Sequence, residues 1–164
     1  MKLDESVRRV VREQSLGFVA TVCPDGTANV SPKGTVEAWD DEHLVFLDLL
    51  SPGTVSNLAS NPSMEINVVD PLRRKGYRFK GQARALTEGD LFEEIVAFFR
   101  RERALPRERI RGAVLMRVEQ LAPLTSPIYD LGASEEDVVA YWRARYLAQG
   151  SEHAVEAAPP GHEG

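Results

Sequence analysis

The chain has 164 residues, of which 27% are charged and 43% are hydrophobic, and its formal net charge is −5. This composition fits a soluble globular protein of one domain and argues against general disorder. Domains that bind nucleic acid are usually basic, so the negative charge predicts no nucleic-acid partner.

Cysteine content and hydropathy predict a cytoplasmic protein. Cys23 is the only cysteine and cannot form an intramolecular disulfide, which fits a reducing compartment. Residues 1–14 are charged and amphipathic, unlike a signal peptide. No apolar run approaches the roughly 20 residues of a membrane span, so we expect no membrane partner.

The first part of the chain predicts a helix followed by a β-hairpin. Behind Asp4, a candidate N-cap, apolar residues recur at helical spacing as far as Val11. The β-branched segment 18–23 leads into a Pro-Asp-Gly turn and a returning strand over 28–31. Pro32 cannot donate to a sheet ladder, so this strand should have an edge, a bulge or its end there.

A third strand and a short second helix are predicted next. The strand covers 44–48, and a break at 51–53 separates it from the helix. Thr54 is the predicted N-cap of this helix. Its apolar side is predicted to consist of Val55, Leu58 and Ala59.

Two alternating strands, a third helix and a last strand follow. Apolar and polar residues alternate over 64–69 and, most clearly, over 77–85. The helix covers about 90–103, and the last strand lies near 113–118. The buried face of this helix is predicted to consist of Leu91, Phe92, Ile95 and Phe99.

The C-terminal region predicts one more helix and a tail. Ser134 and Asp137 resemble a capping box for a helix over about 134–149. Residues 151–164 lack apolar periodicity and are predicted to be disordered. Six short strands with few helices predict a mainly β fold, an antiparallel barrel that is closed or partly open, within a single domain over 1–150.

Histidine and cysteine chemistry has little support in this sequence. No glycine-rich phosphate loop and no His-Glu-x-x-His zinc motif is present. His153 and His162 lie in the predicted tail, which leaves His43, whose simplest interpretation is a surface histidine. Cys23 is better explained as a small apolar residue than as a nucleophile. We predict no metal site.

Polar residues at one strand end and one helix start form the best candidate ligand site. Ser31, Lys33 and Gly34 close the second strand, and Thr54 and Asn57 open the short helix. A helix start offers free backbone N–H groups and a partial positive charge. Lys33, if it comes near this helix start, would help to hold a phosphate. Taken singly, each residue is better explained as a cap or a solvated surface residue. The combination favours a ligand site more than chance would, but it names no ligand.

The strand over 77–85 has a basic face. Its polar residues are Arg78, Lys80, Gln82 and Arg84, and the alternation directs Phe79 to the opposite face. A solvated face is the simplest interpretation, which we favour for Arg84. In the alternative, Arg78 and Lys80 face an anionic ligand or a partner subunit.

Short motifs occur along the chain in a distinctive order. They are FVATV at 18–22 before the Pro-Asp-Gly turn, NVSPKG at 29–34, FLD at 46–48, TVSNLASNP at 54–62, NVVD at 67–70 and GYRFKG at 76–81. In order and spacing they resemble the pyridoxamine 5'-phosphate oxidase-related flavoproteins of the FMN-binding split-barrel family, especially a bacterial branch of flavin-nucleotide-binding proteins. The resemblance runs from about Gly17 to about Ala122, with a weaker echo at 129–132.

The resemblance implies a six-stranded antiparallel split β-barrel that forms a homodimer with FMN at the subunit interface. Carried over residue by residue, the isoalloxazine and ribityl chain would be lined by Ser31, Lys33, Gly34 and Thr35. The cofactor would be flanked by Leu47 and Asp48, and its phosphate would be held by Thr54 and Asn57.

One departure from the family concerns the phosphate. Oxidases of this family often place an Arg-Lys pair before the short helix, where this chain has Gly53 and Thr54. The change removes two positive charges. It leaves Lys33, or Arg78 or Lys80 of either subunit, to hold the phosphate.

A second departure concerns the reaction. The true oxidases end in a tryptophan and an Arg-x-Pro-type segment, whereas this chain offers Trp142 and Arg143 on a predicted helix. We therefore expect the flavin-loaded protein not to oxidise pyridoxamine phosphate efficiently. An assay for pyridoxal phosphate formation checks this, and appreciable turnover would contradict it.

The leading hypothesis is thus an FMN-binding oxidoreductase that acts on an unidentified small-molecule redox partner. Flavin carries out the electron transfer itself, so the scarcity of catalytic side chains does not argue against an enzyme. One alternative is a flavin-binding or sensing module without turnover. Another keeps the fold but exchanges the ligand for a deazaflavin or heme.

Overall fold

The computed structural model describes residues 2–156, and the side chains of residues 2–149. Contacts group the chain into two compact units. The first unit contains the residues up to Val69 together with Gly76–Leu124, and the second contains Asp70–Lys75 together with the residues from Thr125 onward. The candidate site lies within the first unit.

The described residues form seven strands and four α-helices. The strands are β1 (Gly17–Val22), β2 (Ala28–Lys33), β3 (Glu37–Ala38), β4 (His43–Asp48), β5 (Ser63–Asp70), β6 (Lys75–Leu86) and β7 (Gly112–Thr125). The helices are α1 (Glu5–Gln14), α2 (Pro52–Ser60), α3 (Asp90–Arg103) and α4 (Glu135–Glu156). Short 3₁₀ turns lie at Arg107–Arg109 and Pro127–Tyr129.

All seven strands belong to one sheet, in the order β2-β1-β5-β6-β7-β4-β3. β1 pairs antiparallel with β2 and β5, and β4 pairs antiparallel with β3 and β7. The predicted mainly β, antiparallel fold with flanking helices is confirmed. The predicted strand count of six was wrong by one, because two-residue β3 is too short to show an alternation.

The hairpin of β1 and β2 places polar side chains on the inner face of the sheet. β2 is an edge strand, which explains how it accommodates Pro32 and confirms the expectation of an edge there. Val19 lies opposite Ser31, and Thr21 lies opposite Asn29. Opposed residues share one face, and Val19 and Thr21 are buried, so Ser31 and Asn29 are directed inward as well.

Two hydrophobic clusters lie on opposite faces of β4. Leu44 and Phe46 belong to the first cluster, and Val45 and Leu47 to the second, since successive strand residues point to opposite faces. The first cluster joins the sheet to α1, and the second joins it to α3. The buried residues of α3 are Phe92, Ile95, Val96 and Phe99, while Leu91 is only partly buried.

The predicted N-cap of α1 is confirmed, whereas the predicted N-cap of α2 was wrong. Asp4 Oδ1 accepts a hydrogen bond from Val7 N at 2.9 Å. α2 begins at Pro52 with Ser51 as its N-cap residue, so Thr54 lies inside the helix. Proline suits the first helical position because its φ is fixed near the helical value and its missing N–H has no helical partner there.

This earlier start also corrects the predicted buried side of α2. The buried residues are Thr54, Asn57 and Leu58, whereas Val55 is only partly buried and Ala59 is exposed. α2 therefore turns two polar side chains toward the sheet, where the sequence predicts an apolar face.

The C-terminal helix has the predicted start and a later end. Ser134 Oγ accepts from Asp137 N at 3.1 Å, which confirms Ser134 as the cap. The Asp137 carboxylate accepts from the Ser134 hydroxyl at 2.7 Å and not from its backbone N–H, so the reciprocal bond of a full capping box is not formed. α4 continues to Glu156, so the first six residues of the predicted tail are helical. Residues 157–164 lie outside the described residues. Among the residues that are described, no helix combines the length and apolar character needed to cross a bilayer.

The second unit is held together by a turn and the start of α4. Asp70 Oδ1 accepts from Leu72 N and Arg73 N, each at 2.8 Å, and Asp70 Oδ2 accepts from Arg73 Nη1 at 2.7 Å. Glu135 pairs with Arg73 and Lys75. The turn is therefore bound to the helix by charged groups.

Acid should weaken this turn. Burial of Asp70 opposes its ionisation, but the hydrogen bonds from Arg73 and Leu72 outweigh burial and hold the pKa of Asp70 below its usual value. A lowered carboxyl pKa stabilises the fold above the unfolded pKa of about 3.9, and this contribution is lost as pH falls through the folded pKa. We expect Asp70→Asn to be less stable than the wild type at neutral pH, with the gap closing below about pH 4. Urea unfolding between about pH 2 and 7 measures this gap, and a gap independent of pH contradicts the prediction.

Candidate functional site

A buried polar cluster lies between the β1–β2 hairpin and α2. Thr21 Oγ1 accepts from Asn29 Nδ2 at 3.1 Å and from Asn57 Nδ2 at 3.0 Å. The residues Thr21 and Asn57 are only 3% and 5% exposed. These hydrogen bonds fix the position of α2 against the hairpin.

Lys33 and Ser31 connect the end of β2 to the first turn of α2. Lys33 Nζ donates to Ser31 Oγ at 2.7 Å, and Ser31 Oγ lies 3.3 Å from Thr54 Oγ1. The fold therefore satisfies the condition set by the sequence, that Lys33 should come near the start of the short helix. The site combines an ammonium group, two hydroxyl groups and a helix N-terminus.

Lys33 is buried with few partners. The residue is 8% exposed, and its ammonium group has three donors but only Ser31 as a hydrogen-bond acceptor among the described residues. Burial lowers the pKa of Lys33, and the nearby Asp48 carboxylate partly offsets this effect. A buried cation that lacks acceptors favours an anionic or strongly polar ligand beside it.

The end of β4 forms the next wall of the site. Thr35 Oγ1 accepts from Leu47 N at 3.0 Å, and Asp48 Oδ1 accepts from Ser51 N at 2.7 Å. Asp48 thereby fixes the loop before α2. The Leu47 side chain is 1% exposed and packs in the second hydrophobic cluster, so a ligand could meet only the backbone of this residue.

Two glycines leave room beside these groups. A Cβ atom placed on Gly34 or on Gly53 would meet no heavy atom within 4 Å. Both residues are exposed. An extended ligand could therefore pass close to the backbone at the end of β2 and at the start of α2.

Two predicted site residues lie elsewhere. Arg78 Nε is 2.9 Å from Glu65 Oε1, and Lys80 Nζ is 3.3 Å from Glu65 Oε2. Both belong to the exposed face of β6, which confirms the predicted shared polar face. Among the residues that the structure describes they pair with Glu65, and no hydrogen bond or ion pair joins them to Lys33 or Thr54.

Thr21 and Asn29 belong to the cluster but were missed by the sequence reasoning. The available signal was their place in the hairpin. Thr21 is a polar residue at an inward position of a strand that is rich in β-branched residues. The antiparallel register of β1 and β2 places Asn29 opposite to it. The sequence showed both residues but not what their side chains contact.

The remaining histidine and cysteine of interest have local partners. His43 Nδ1 lies 2.8 Å from Asp40 Oδ1, and its side chain is 26% exposed. Cys23 Sγ lies 3.6 Å from Asn57 Nδ2 at the edge of the polar cluster. His43 therefore stands apart from the site, and Cys23 adjoins it.

Comparison with known proteins places this chain in a family. Residues 3–122 match the model of the family described as pyridoxamine 5'-phosphate oxidase. The structure of HupZ from Group A Streptococcus is similar, with 28% identity, a TM-score of 0.68, and coverage of 75% of this chain and 94% of that chain. An FMN-binding protein from Syntrophomonas wolfei subsp. wolfei shares 16% identity, with a TM-score of 0.63 over 76% of this chain and 87% of that one. An F420 reductase shares 21% identity, with a TM-score of 0.57 over 73% and 98% of the two chains.

The class of protein is thereby defined by its fold, a split barrel of the kind found in flavin-binding proteins. The chain belongs to the pyridoxamine 5'-phosphate oxidase family.

The residues present fit a phosphorylated flavin. The ammonium group of Lys33 has donors to spare, Ser31 and Thr54 add hydroxyl groups, and open space lies beside Gly34 and Gly53. When bound, a flavin supplies hydride or single-electron transfer. The chain's own residues would bind the ligand, orient it and limit access of water.

Proposed function

We propose that this protein binds FMN at the end of β2 and the start of α2 and acts as an oxidoreductase on a small molecule. The observation that carries the proposal is the buried Lys33, which lies beside Ser31 and Thr54 and has a single hydrogen-bond acceptor in the part of the chain that the structure describes. In this assignment Ser31, Lys33, Gly34 and Thr35 line the flavin and its ribityl chain. Thr54, with Asn57 holding the helix in place, meets the phosphate.

We further propose that the protein is a homodimer with the flavin at the subunit interface. Phe18 and Val30 support this proposal, because they are 50% and 61% exposed. Their positions in the hairpin register direct them to the outer face of the sheet, opposite to the side of Thr21. Exposed apolar side chains on one sheet face are typical of an interaction surface. Arg78 and Lys80 would reach a flavin only from the partner subunit.

An absorbance spectrum of the purified protein with and without added FMN tests the flavin proposal, with gel filtration alongside. We expect absorbance bands at about 375 and 450 nm, as for any oxidised flavin, in the fraction that elutes as a dimer. A protein that leaves FMN in the free fraction overturns the flavin assignment. A single shorter-wavelength deazaflavin band or an intense heme band would move the site to that ligand.

Reduction of the bound flavin separates an enzyme from a binding module. Flavin that is reduced by NADH or NADPH and then reoxidised by an added acceptor supports an oxidoreductase. Bound flavin that stays oxidised with every donor supports a module without turnover.

A further inference from the structure

The C-terminal helix α4 has apolar side chains on two opposite sides. Val138 is buried, and one turn later the ring centroid of Trp142 lies 3.4 Å from Arg74 Cζ. This side of the helix packs within the second unit. Ala140 lies about 200° around the helix from Val138 and is exposed, and the adjacent Val139 is only half-buried. A helix that is apolar on two sides favours a second packing partner.

Charged residues flank this second side of α4. It contains an open groove of about 430 Å³, which is lined by Arg73, Glu135, Glu136, Val139, Ala140 and Arg143. Glu136 and Arg143 are both exposed. They lie about 10 Å apart along the helix axis, which is too far for an ion pair within one helix. The groove therefore has a small residue near its centre, a negative charge toward one end and a positive charge toward the other.

The charge pattern of this groove is self-complementary. The midpoint between Glu136 and Arg143 falls between Val139 and Ala140. If a second α4 lies antiparallel across this midpoint, Glu136 of each copy faces Arg143 of the other, and the small Ala140 lets the two helices approach closely. A parallel arrangement would place like charges opposite one another, which is unfavourable. Because the same surface is used twice, the antiparallel contact closes as a twofold pair.

We propose that α4 is a self-association surface that pairs antiparallel with α4 of a second copy of this chain, through Ala140 and two Glu136–Arg143 ion pairs. The partner is a second copy because the charge pattern matches its own reverse, a symmetry that an unrelated partner would not require. A single helix pair is smaller than a stable interface of roughly 1,200–2,000 Å², so this contact alone is weak. It is formed by the second unit and does not depend on a bound flavin.

Disulfide crosslinking tests the contact at its centre. Cys23 is the only native cysteine, so the full-length Cys23→Ala protein serves as the background. In the antiparallel pair, Ala140→Cys brings two thiols together beside the twofold axis, whereas the thiols of the control Ala144→Cys lie about 13 Å apart along the helix axis. We expect mild oxidation to form covalent dimers at least about tenfold faster at position 140 than at position 144. Equal rates, or no covalent dimer with either variant, overturn the proposal.

Charge reversal tests the ion pairs, with the rate of crosslinking at position 140 as the readout. Arg143→Glu should slow crosslinking at least about fivefold at low salt, because two repulsive pairs replace two attractive ones. Adding Glu136→Arg should restore the rate to within about twofold of the starting protein. Arg145→Glu is the matched control, because Arg145 is exposed and lies about 200° around the helix from Arg143. We expect this control to change the rate by less than about twofold.

The outcomes separate ion pairing from a general effect of charge. Equal slowing by Arg143→Glu and Arg145→Glu, or no restoration by the double reversal, contradicts the antiparallel pairing. Circular dichroism checks that each variant keeps its helices, and the test at position 140 needs no charge reversal. FMN binding without crosslinking at position 140 rejects the α4 contact and leaves the flavin site standing. Crosslinking without FMN binding rejects the flavin site and supports the α4 contact.

Discussion

Replacing Phe79 by alanine is expected to lower the free energy of unfolding by about 3–5 kcal/mol. Phe79 is 0% exposed and lies in the first hydrophobic cluster, between the sheet and α1. Removing the ring leaves a cavity that a closely packed interior fills only in part. Urea or thermal unfolding of the two proteins measures the loss.

Gln82→Ala is the matched control for Phe79→Ala. Gln82 is exposed and lies on the opposite face of β6, so its replacement should change stability by less than about 0.5 kcal/mol. If Phe79→Ala melts like the wild type and Gln82→Ala does not, the faces of β6 are reversed relative to the core.

Removing the charge of Lys33 is expected to weaken FMN binding by about 1.5–3 kcal/mol, which is the contribution of a hydrogen bond to a charged group. Lys33→Met keeps most of the side-chain volume without the charge, and Lys33→Ala removes both. The buried ammonium group has one hydrogen-bond acceptor among residues 2–149, and its burial carries a desolvation cost. The loss of this group should therefore leave the stability of the free protein nearly unchanged. Fluorescence titration with FMN and thermal melting without FMN measure the two effects separately.

Lys80→Ala tests the alternative source of positive charge. Lys80 is 51% exposed and pairs with Glu65, so we expect FMN affinity to stay within about twofold of the wild type. An unchanged affinity in Lys33→Met, together with a loss in Lys80→Ala, would assign the phosphate contact to β6 of the partner subunit. An unchanged FMN affinity in both variants would show that neither lysine holds the phosphate, and Lys33 would then have only a structural role.

Much of the fold was predictable from local patterns. The alternation over β6, the turn between β1 and β2 and the caps at Asp4 and Ser134 are short-range signals. Each depends on residues only a few positions apart, and each is confirmed. The wrong strand count and the wrong N-cap of α2 also have local causes. β3 is too short to show an alternation of polar and apolar residues, and Pro52 allows α2 to begin before Thr54.

The candidate site shows where such reasoning stops. The sequence put Lys33 and Thr54 forward as one candidate site only on the condition that the strand end and the helix start meet, and each residue alone had an ordinary structural explanation. Their connection through Ser31 depends on the hairpin register and on how α2 packs against the sheet. The same packing brought in Thr21 and Asn29, which carry no motif of their own.

By itself, the sequence determined the mainly β class, the family and the position of most strands and helices. Periodicity, turn residues and motif order are properties of neighbouring residues and can be seen without the fold. Only the tertiary structure decided which polar residues meet. It brought Lys33 to α2, paired Arg78 and Lys80 with Glu65, and turned Leu47 into the core. The physical reason is that burial and long-range hydrogen bonds arise between segments far apart in sequence, and local propensity does not encode those distances.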